Sequence, residues 1–183
     1  MITEEEFGCF LAALRFSAEK HSRQKRKDAA QTPYIIHPIH VTELLWTVGG
    51  IRNIPILIAA ILHDTVEDTG AGPEEIKEQF GEQVLGFVLE VTDDKSLPKE
   101  ERKRLQIIHA PQLSPAAKCI KLADKICNLR DIYQSPPADW PLERIQKYFR
   151  WREEVAEGLR GANPTLEDCY DTELARAKDK YFA

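Results

Sequence analysis

The chain has 183 residues, of which 43% are hydrophobic and 30% charged, and its net charge is −5. That balance fits one soluble globular domain with a core of its own and excludes a disordered chain; the negative charge argues against general nucleic-acid binding. The opening "MITEEEFGCF" is acidic where a secretory signal is basic and then long and apolar, and the longest apolar run, Ile54 to Leu62, is too short to span a bilayer. A cytoplasmic protein without a membrane or nucleic-acid partner is expected. Cys9, Cys119, Cys127 and Cys169 are scattered and form no C-x-x-C pair, as expected of reduced thiols.

The periodic signals are almost all helical. Phe7, Phe10, Leu11, Leu14 and Ala18 recur at helical spacing and predict a first helix from about Thr3 to Lys20. "DAAQTPYIIHP" reads as a turn, followed by a helix over "PIHVTELLWTV" with Pro38 at its first position and Gly49-Gly50 at its end. Pro55 opens an apolar helix that carries His63-Asp64 and ends at Gly70 and Gly72. "PEEIKEQF" is a helix with Pro and two acids at its positive end, stopped by Gly81. "EQVLGFVLEVT" has a β-branched flavour but helical spacing, and "PKEERKRLQIIHA" is a basic amphipathic helix. "SPAAKCIKLADKICNLRDIY" follows, with Ser114 as N-cap and Pro115 in the first turn. "PLERIQKYFRWREEVAEGL" comes next, then a C-terminal helix over 164–182 beyond the Asn163-Pro164 break. With no strand-and-turn alternation, repeat or low-complexity tract, the fold class is all-α and residues 1–183 form a single domain.

One stretch does not suit a plain core helix. "AAILHDTVEDT", from Ala59 to Thr69, begins apolar and ends in one imidazole and three carboxylates. On a helix His63 and Glu67 lie a turn apart, as do Asp64 and Asp68, so all four point into one sector at the end of a buried segment. Charges there are costly unless paired or bound to a cation, and crowded carboxylates call for a divalent metal. Oxygen and imidazole donors without thiolate suit Mn, Fe, Zn or Mg. One helix cannot surround an ion. His37 in "YIIHP" and Asp124 in "KLADKICNLRD" are candidates to complete the set, with Asn128 one turn on from Asp124. Taken singly, His37 also reads as a loop histidine and Asp124 as a helix acid paired with Lys121. Two basic runs, "RFSAEKHSRQKRK" at 15–27 and "KSLPKEERKR" at 95–104, either hold a small polyanion or solvate helix faces.

The order His, His-Asp, Asp resembles the signature of the HD superfamily of metal-dependent phosphohydrolases. More narrowly, "RKD" at 26–28, "TPYIIHP" at 32–38, "LHDTVEDT" at 62–69, "VTDDKSLPKEERKRLQ" at 91–106 and "KLADKICNLRD" at 121–131 resemble the hydrolase domain of RelA/SpoT proteins. The form it is most similar to is the stand-alone one, the small alarmone hydrolases that include the metazoan SpoT homologue. The likeness spans about residues 7–160 and implies a compact multi-helix HD-domain bundle around a central metal site. Ile36 stands where the family has a polar residue. The length leaves no room for the synthetase and regulatory domains of the long RelA/SpoT proteins, so synthesis is not expected.

The resemblance implies hydrolysis of the 3′-diphosphate of ppGpp or pppGpp to GDP or GTP and pyrophosphate, with one Mn²⁺ or another divalent ion per chain. Carried over residue by residue, His37, His63, Asp64 and Asp124 hold the metal. Glu67 and Asp68 position and deprotonate the water or protonate the leaving 3′-oxygen, and Arg26, Lys27 and Asn128 contact the nucleotide. Lys99 is expected to meet phosphates, and Arg144 and Tyr148 to offer a cation and a stacking ring, with a plain surface-helix role as the alternative for those two. His40 is expected to pack or face solvent, and Trp46, Trp140 and Trp151 to be core or boundary residues. His21 and His109 have no partner visible in the sequence. Two rivals stand beside this reading: another HD-type substrate, above all the 2′-phosphate of NADPH, and a non-catalytic nucleotide-binding module. Every ligand and acid of the pattern is present, which weighs against the second.

Overall fold

The computed structural model describes residues 2–26, 28 and 30–182. Its helices are α1 (Glu4–Lys20), α2 (Ile36–Thr47), α3 (Ile54–Leu62), α4 (Thr65–Asp68), α5 (Pro73–Phe80), α6 (Glu82–Val91), α7 (Lys99–His109), α8 (Pro115–Gln134), α9 (Leu142–Leu159) and α10 (Pro164–Tyr181). A 3₁₀ turn at Ala110–Gln112 links α7 to α8. No strand occurs among the described residues; an isolated bridge between Lys25 and Pro33 pinches the loop before α2. Among the described residues no helix is long and apolar enough to cross a membrane.

The helix starts follow local chemistry. Thr3 and Glu6 form a reciprocal capping box on α1. Asn53, Ser114 and Asn163 each accept a backbone N–H at the start of α3, α8 and α10, where a proline also sits in the first turn. The hub of the bundle is α8, which packs against α10, α2, α9, α6 and α3. Its Ile120, Ala123, Ile126 and Leu129 are wholly buried. Because α3 is covered by α1, α2 and α6, it is apolar on all sides. Next to the 3₁₀ turn α9 carries Gly158, whose added Cβ would stand 2.7 Å from Ala110 Cβ and 2.8 Å from Pro111 Cδ. That close approach requires a glycine.

Two boundaries differ from the sequence reading. First, α2 starts at Ile36, two residues before Pro38, so His37 lies in the first turn of a helix and not in a loop. The first four N–H groups of a helix have no partner within it, so a proline is tolerated throughout that turn. Second, the apolar helix stops at Leu62, and His63-Asp64 form a break before the four-residue α4. Side chains satisfy the carbonyls left over at this buried end. His63 Nδ1 lies 2.8 Å from Ala60 O, Ser17 Oγ donates to Ile61 O at 2.7 Å, and Thr65 Oγ1 donates to Leu62 O at 2.7 Å.

Candidate metal centre

Four elements deliver the four expected ligands to one place: the first turn of α2 (His37), the end of α3 (His63), the start of α4 (Asp64) and the middle of α8 (Asp124). One donor atom each from His37, His63 and Asp124 lies within 4.8 Å of the others. His37 Nε2 stands 3.1 Å from Asp124 Oδ1. Asp64 Oδ2 is 2.9 Å from His63 Nε2 and 3.9 Å from His37 Nε2, so it fits as a fourth donor. The contact of His63 Nδ1 with a carbonyl requires its proton there, so in the neutral ring that a metal would bind, Nε2 carries the lone pair. That Nε2 is buried and makes no well-formed hydrogen bond among the described residues; it faces the Asp64 carboxylate oxygen at 2.9 Å, two electron-rich donors that a shared cation would reconcile. Two imidazoles and two carboxylates with no thiolate form a donor set for a borderline or hard divalent ion.

The electrostatics of the cluster favour positive charge. Burial opposes protonation of His63, but the Asp64 carboxylate outweighs it and lifts the imidazole to about 9. Burial would raise Asp64, yet His63 and His37 hold it well below the usual carboxylate range. Asp124 is also held low against its burial, chiefly by Lys125. Its two oxygens divide the work: Oδ1 faces His37 and accepts from Asn128 Nδ2, while Oδ2 lies 3.1 Å from Lys125 Nζ and 3.4 Å from Arg152 Nη1. Lys125 is buried, and burial followed by the nearby Arg152 lowers it to about 8.

Glu67 and Asp68 stand on the same pocket, whose volume is about 210 Å³. Glu67 Oε2 accepts the N–H of Asp93 at 3.1 Å, and its Oε1 lies 3.8 Å from Arg102 and 3.9 Å from Lys95. Burial is the main cause that raises its carboxyl to about 7. Asp68 Oδ1 accepts from Lys95, and its Oδ2 lies 3.3 Å from Gln24 Nε2.

Asn128 lines the pocket beside Asp124. Lys99, Arg144 and Tyr148 line an adjoining groove of about 690 Å³, which shares Glu67, Asp93, Gln106, Trp151 and Arg152 with the pocket. Arg26 is set apart from the candidate ligands and donates to Asp131, one turn beyond Asn128 on α8. Lys27 lies outside the described residues. Trp140 and Trp151 are half-buried, as expected of boundary residues, but both also line the groove. His40 and His109 are exposed. Lys121 pairs with Asp93 at 3.6 Å, so Asp124 takes Lys125 and Arg152 in the place of the partner read from the sequence. A second hollow, about 390 Å³ between α1, α2 and α3, is apolar and has no Lys or Arg in its lining.

Sequence reasoning missed Tyr34, which donates to Asp64 Oδ2, and Arg152. Arg152 had a signal: Ile145, Phe149, Arg152, Ala156 and Leu159 share one buried helical stripe of α9, and a cation on such a stripe needs a buried partner.

The sequence matches the HD domain family over residues 13–147. It is 54% identical over 161 residues to a Xenopus tropicalis protein named guanosine-3′,5′-bis(diphosphate) 3′-pyrophosphohydrolase MESH1, covering 88% of this chain and 90% of that one. The human protein of the same name is 52% identical over 159 residues, covering 87% and 89%. A solved structure described as a metazoan ortholog of SpoT that hydrolyzes ppGpp and plays a role in starvation responses superposes with a TM-score of 0.90. It is 47% identical and covers 92% of this chain and 94% of its own.

Proposed function

The chain belongs to the HD domain family, and we propose that it is a divalent-metal hydrolase that removes the 3′-diphosphate of ppGpp or pppGpp as pyrophosphate. The observation that carries this reading is the convergence of His37, His63 and Asp124 donor atoms within 4.8 Å on a pocket that also holds Glu67 and Asp68. The names borne by relatives at about half identity support the substrate. His37, His63, Asp64 and Asp124 are assigned as ligands, Mn²⁺ as the ion, and residues 1–183 as one cytoplasmic hydrolase domain.

When bound, the ion supplies Lewis acidity toward a phosphoryl oxygen and lowers the pKa of a water to near neutrality. Glu67, lifted to about 7 by burial, exchanges a proton near neutral pH and is assigned the proton transfer. Asp68, held by Lys95 and Gln24, orients the water. The oxygen of water joins the phosphorus next to the ribose, the bond from that phosphorus to the 3′-oxygen breaks, and the 3′-oxygen leaves with a proton. Asn128, Arg26 and Lys27 are assigned to the nucleoside and its phosphates. In the adjoining groove, Lys99 and Arg144 meet phosphate charge and Tyr148 offers an aromatic face.

The test is turnover of ppGpp and of NADPH, side by side, with Mn²⁺ and again with EDTA. Mn²⁺-dependent release of pyrophosphate from ppGpp supports the proposal. Phosphate release from NADPH alone would keep the site and replace the substrate, and no turnover of either would leave a binding module.

A further inference from the structure

His21 follows the last turn of α1 and is only 2% exposed, yet its Nε2 has no hydrogen-bond partner among the described residues. Its Nδ1 lies 2.7 Å from Gln24 Oε1. An amide oxygen only accepts, so the ring's proton sits on Nδ1. The other tautomer would aim that proton at the unpartnered side and set a lone pair against the oxygen. Burial lowers the pKa of the ring and favours its neutral form.

The Nδ1 proton and the Gln24 oxygen fix each other's orientation. With its oxygen toward His21, the amide nitrogen points at Asp68 Oδ2, 3.3 Å away. A carboxylate only accepts, so both hydrogen bonds run in one direction, from His21 through Gln24 to Asp68. The backbone holds this arrangement in place: Gln24 N–H donates to His21 O at 2.9 Å and Tyr34 N–H to Gln24 O at 3.1 Å. The Tyr34 ring packs on the imidazole with centroids 4.9 Å apart. A buried imidazole that is itself neither a proposed metal ligand nor part of the pocket lining therefore stands behind one acid of the site.

We propose that His21 is a positioning residue, which sets the Gln24 amide so that its N–H holds Asp68 in its working orientation. The inference rests on reading the site as a ppGpp hydrolase. It predicts a dependence on the Nδ1 proton that a packing role lacks. In His21→Asn the side-chain amide nitrogen can reach the Nδ1 position, whereas in His21→Gln it reaches the Nε2 position. Gln24→Met keeps the length of the half-buried Gln24 and removes both hydrogen bonds.

The experiment measures kcat and KM for ppGpp in the full Mn²⁺-loaded chain, together with bound metal by elemental analysis. His21→Gln and Gln24→Met are expected to lower kcat about tenfold or more, with KM moving less than about twofold, as for a lost hydrogen bond to a charged group. His21→Asn is expected to recover kcat to within about threefold of wild type, although it is the smaller side chain. Metal content is expected to stay at the wild-type level in all three. Equal kcat in His21→Asn and His21→Gln, or a greater loss in His21→Asn, would reduce His21 to packing. Unchanged kcat in Gln24→Met would overturn the relay even if neither His21 variant folds. A wild type that turns over no ppGpp overturns the functional reading and this inference together, whereas an active wild type with unresponsive variants overturns the inference alone.

Discussion

His37 Nε2 and Asp124 Oδ1 stand 3.1 Å apart although 87 residues separate them in the chain. The pair exists only when the first turn of α2 is docked against the middle of α8, so the site is a product of tertiary packing. An ion held there binds the folded chain and not the unfolded one, and its affinity adds to stability.

Manganese is therefore expected to raise the melting temperature of the wild type, with a stabilisation of about 2.7 kcal/mol at a hundredfold excess over Kd. Asp64→Ala and Asp124→Asn are expected to lose the bound ion, the rise in melting temperature and turnover. Elemental analysis and thermal melts with and without Mn²⁺ check this. A full rise with Asp124→Asn would remove Asp124 from the ligand set.

Glu67→Gln is expected to behave differently, because Glu67 reaches the pocket from outside the ligand group. The variant should bind stoichiometric metal yet lose turnover by about 10²–10⁴-fold, the range for a group that moves a proton. Loss of the metal would place Glu67 among the ligands.

How much of this was readable in the sequence depends on how local each feature is. Thr3, Ser114 and Asn163 cap their own helices within three residues, so those starts follow from the sequence. The proposed ligands and both acids, which the fold gathers on one pocket, form a spaced pattern of residue types in the sequence. The break at His63-Asp64 was not, because one of the carbonyls it frees is satisfied by Ser17, 44 residues away. The counter-charges of Asp124 were missed for a similar reason: Arg152 arrives from α9, 28 residues on, and helical spacing from Asp124 points to Lys121. His21 looked unpartnered because its influence passes through Gln24 to a residue 44 positions beyond that glutamine.

Lys99 and Arg144 are exposed on the groove, whose lining includes none of the proposed ligands. Lys99→Ala and Arg144→Ala are expected to raise KM for ppGpp about three- to tenfold while kcat holds, since each removes a charge contact that solvent already weakens. The increase should shrink in 0.5 M salt, where exposed charges are screened beyond about 4 Å. Steady-state kinetics at two ionic strengths test it. A fall in kcat without a change in KM would assign these residues to chemistry.

Gly158→Ala tests how α9, which carries Arg152 and Trp151, is seated. An alanine gains about 1 kcal/mol of helix propensity over glycine. Its Cβ would meet Ala110 Cβ at 2.7 Å, Pro111 Cδ at 2.8 Å and the Pro111 backbone nitrogen at 3.0 Å, none of which can swing aside. Overpacking of this kind costs about 1–3 kcal/mol, so a net loss of about 1 kcal/mol and a drop in melting temperature of about 3 °C are expected. A rise in melting temperature would mean that α9 and the 3₁₀ turn can separate freely.

The stability of the metal-free protein should report Glu67 directly. Its carboxyl lies at about 7 in the fold against the ordinary 4.5, because burial penalises the ionised form. A raised folded value means that stability is fully present below pH 4.5 and is lost as pH rises toward 7. That interval corresponds to about 3 kcal/mol. The side chain keeps 18% of its surface exposed, and Lys95 and Arg102 lie nearby, so about 2 kcal/mol is the expected loss. Glu67→Gln imitates the protonated acid at every pH. Relative to wild type it should be neutral near pH 4.5, grow more stable through pH 7 and level off above it, a course that denaturant unfolding in EDTA would trace. Equal stabilities at pH 4.5 and 8 would mean that Glu67 ionises in the fold as easily as it does in water.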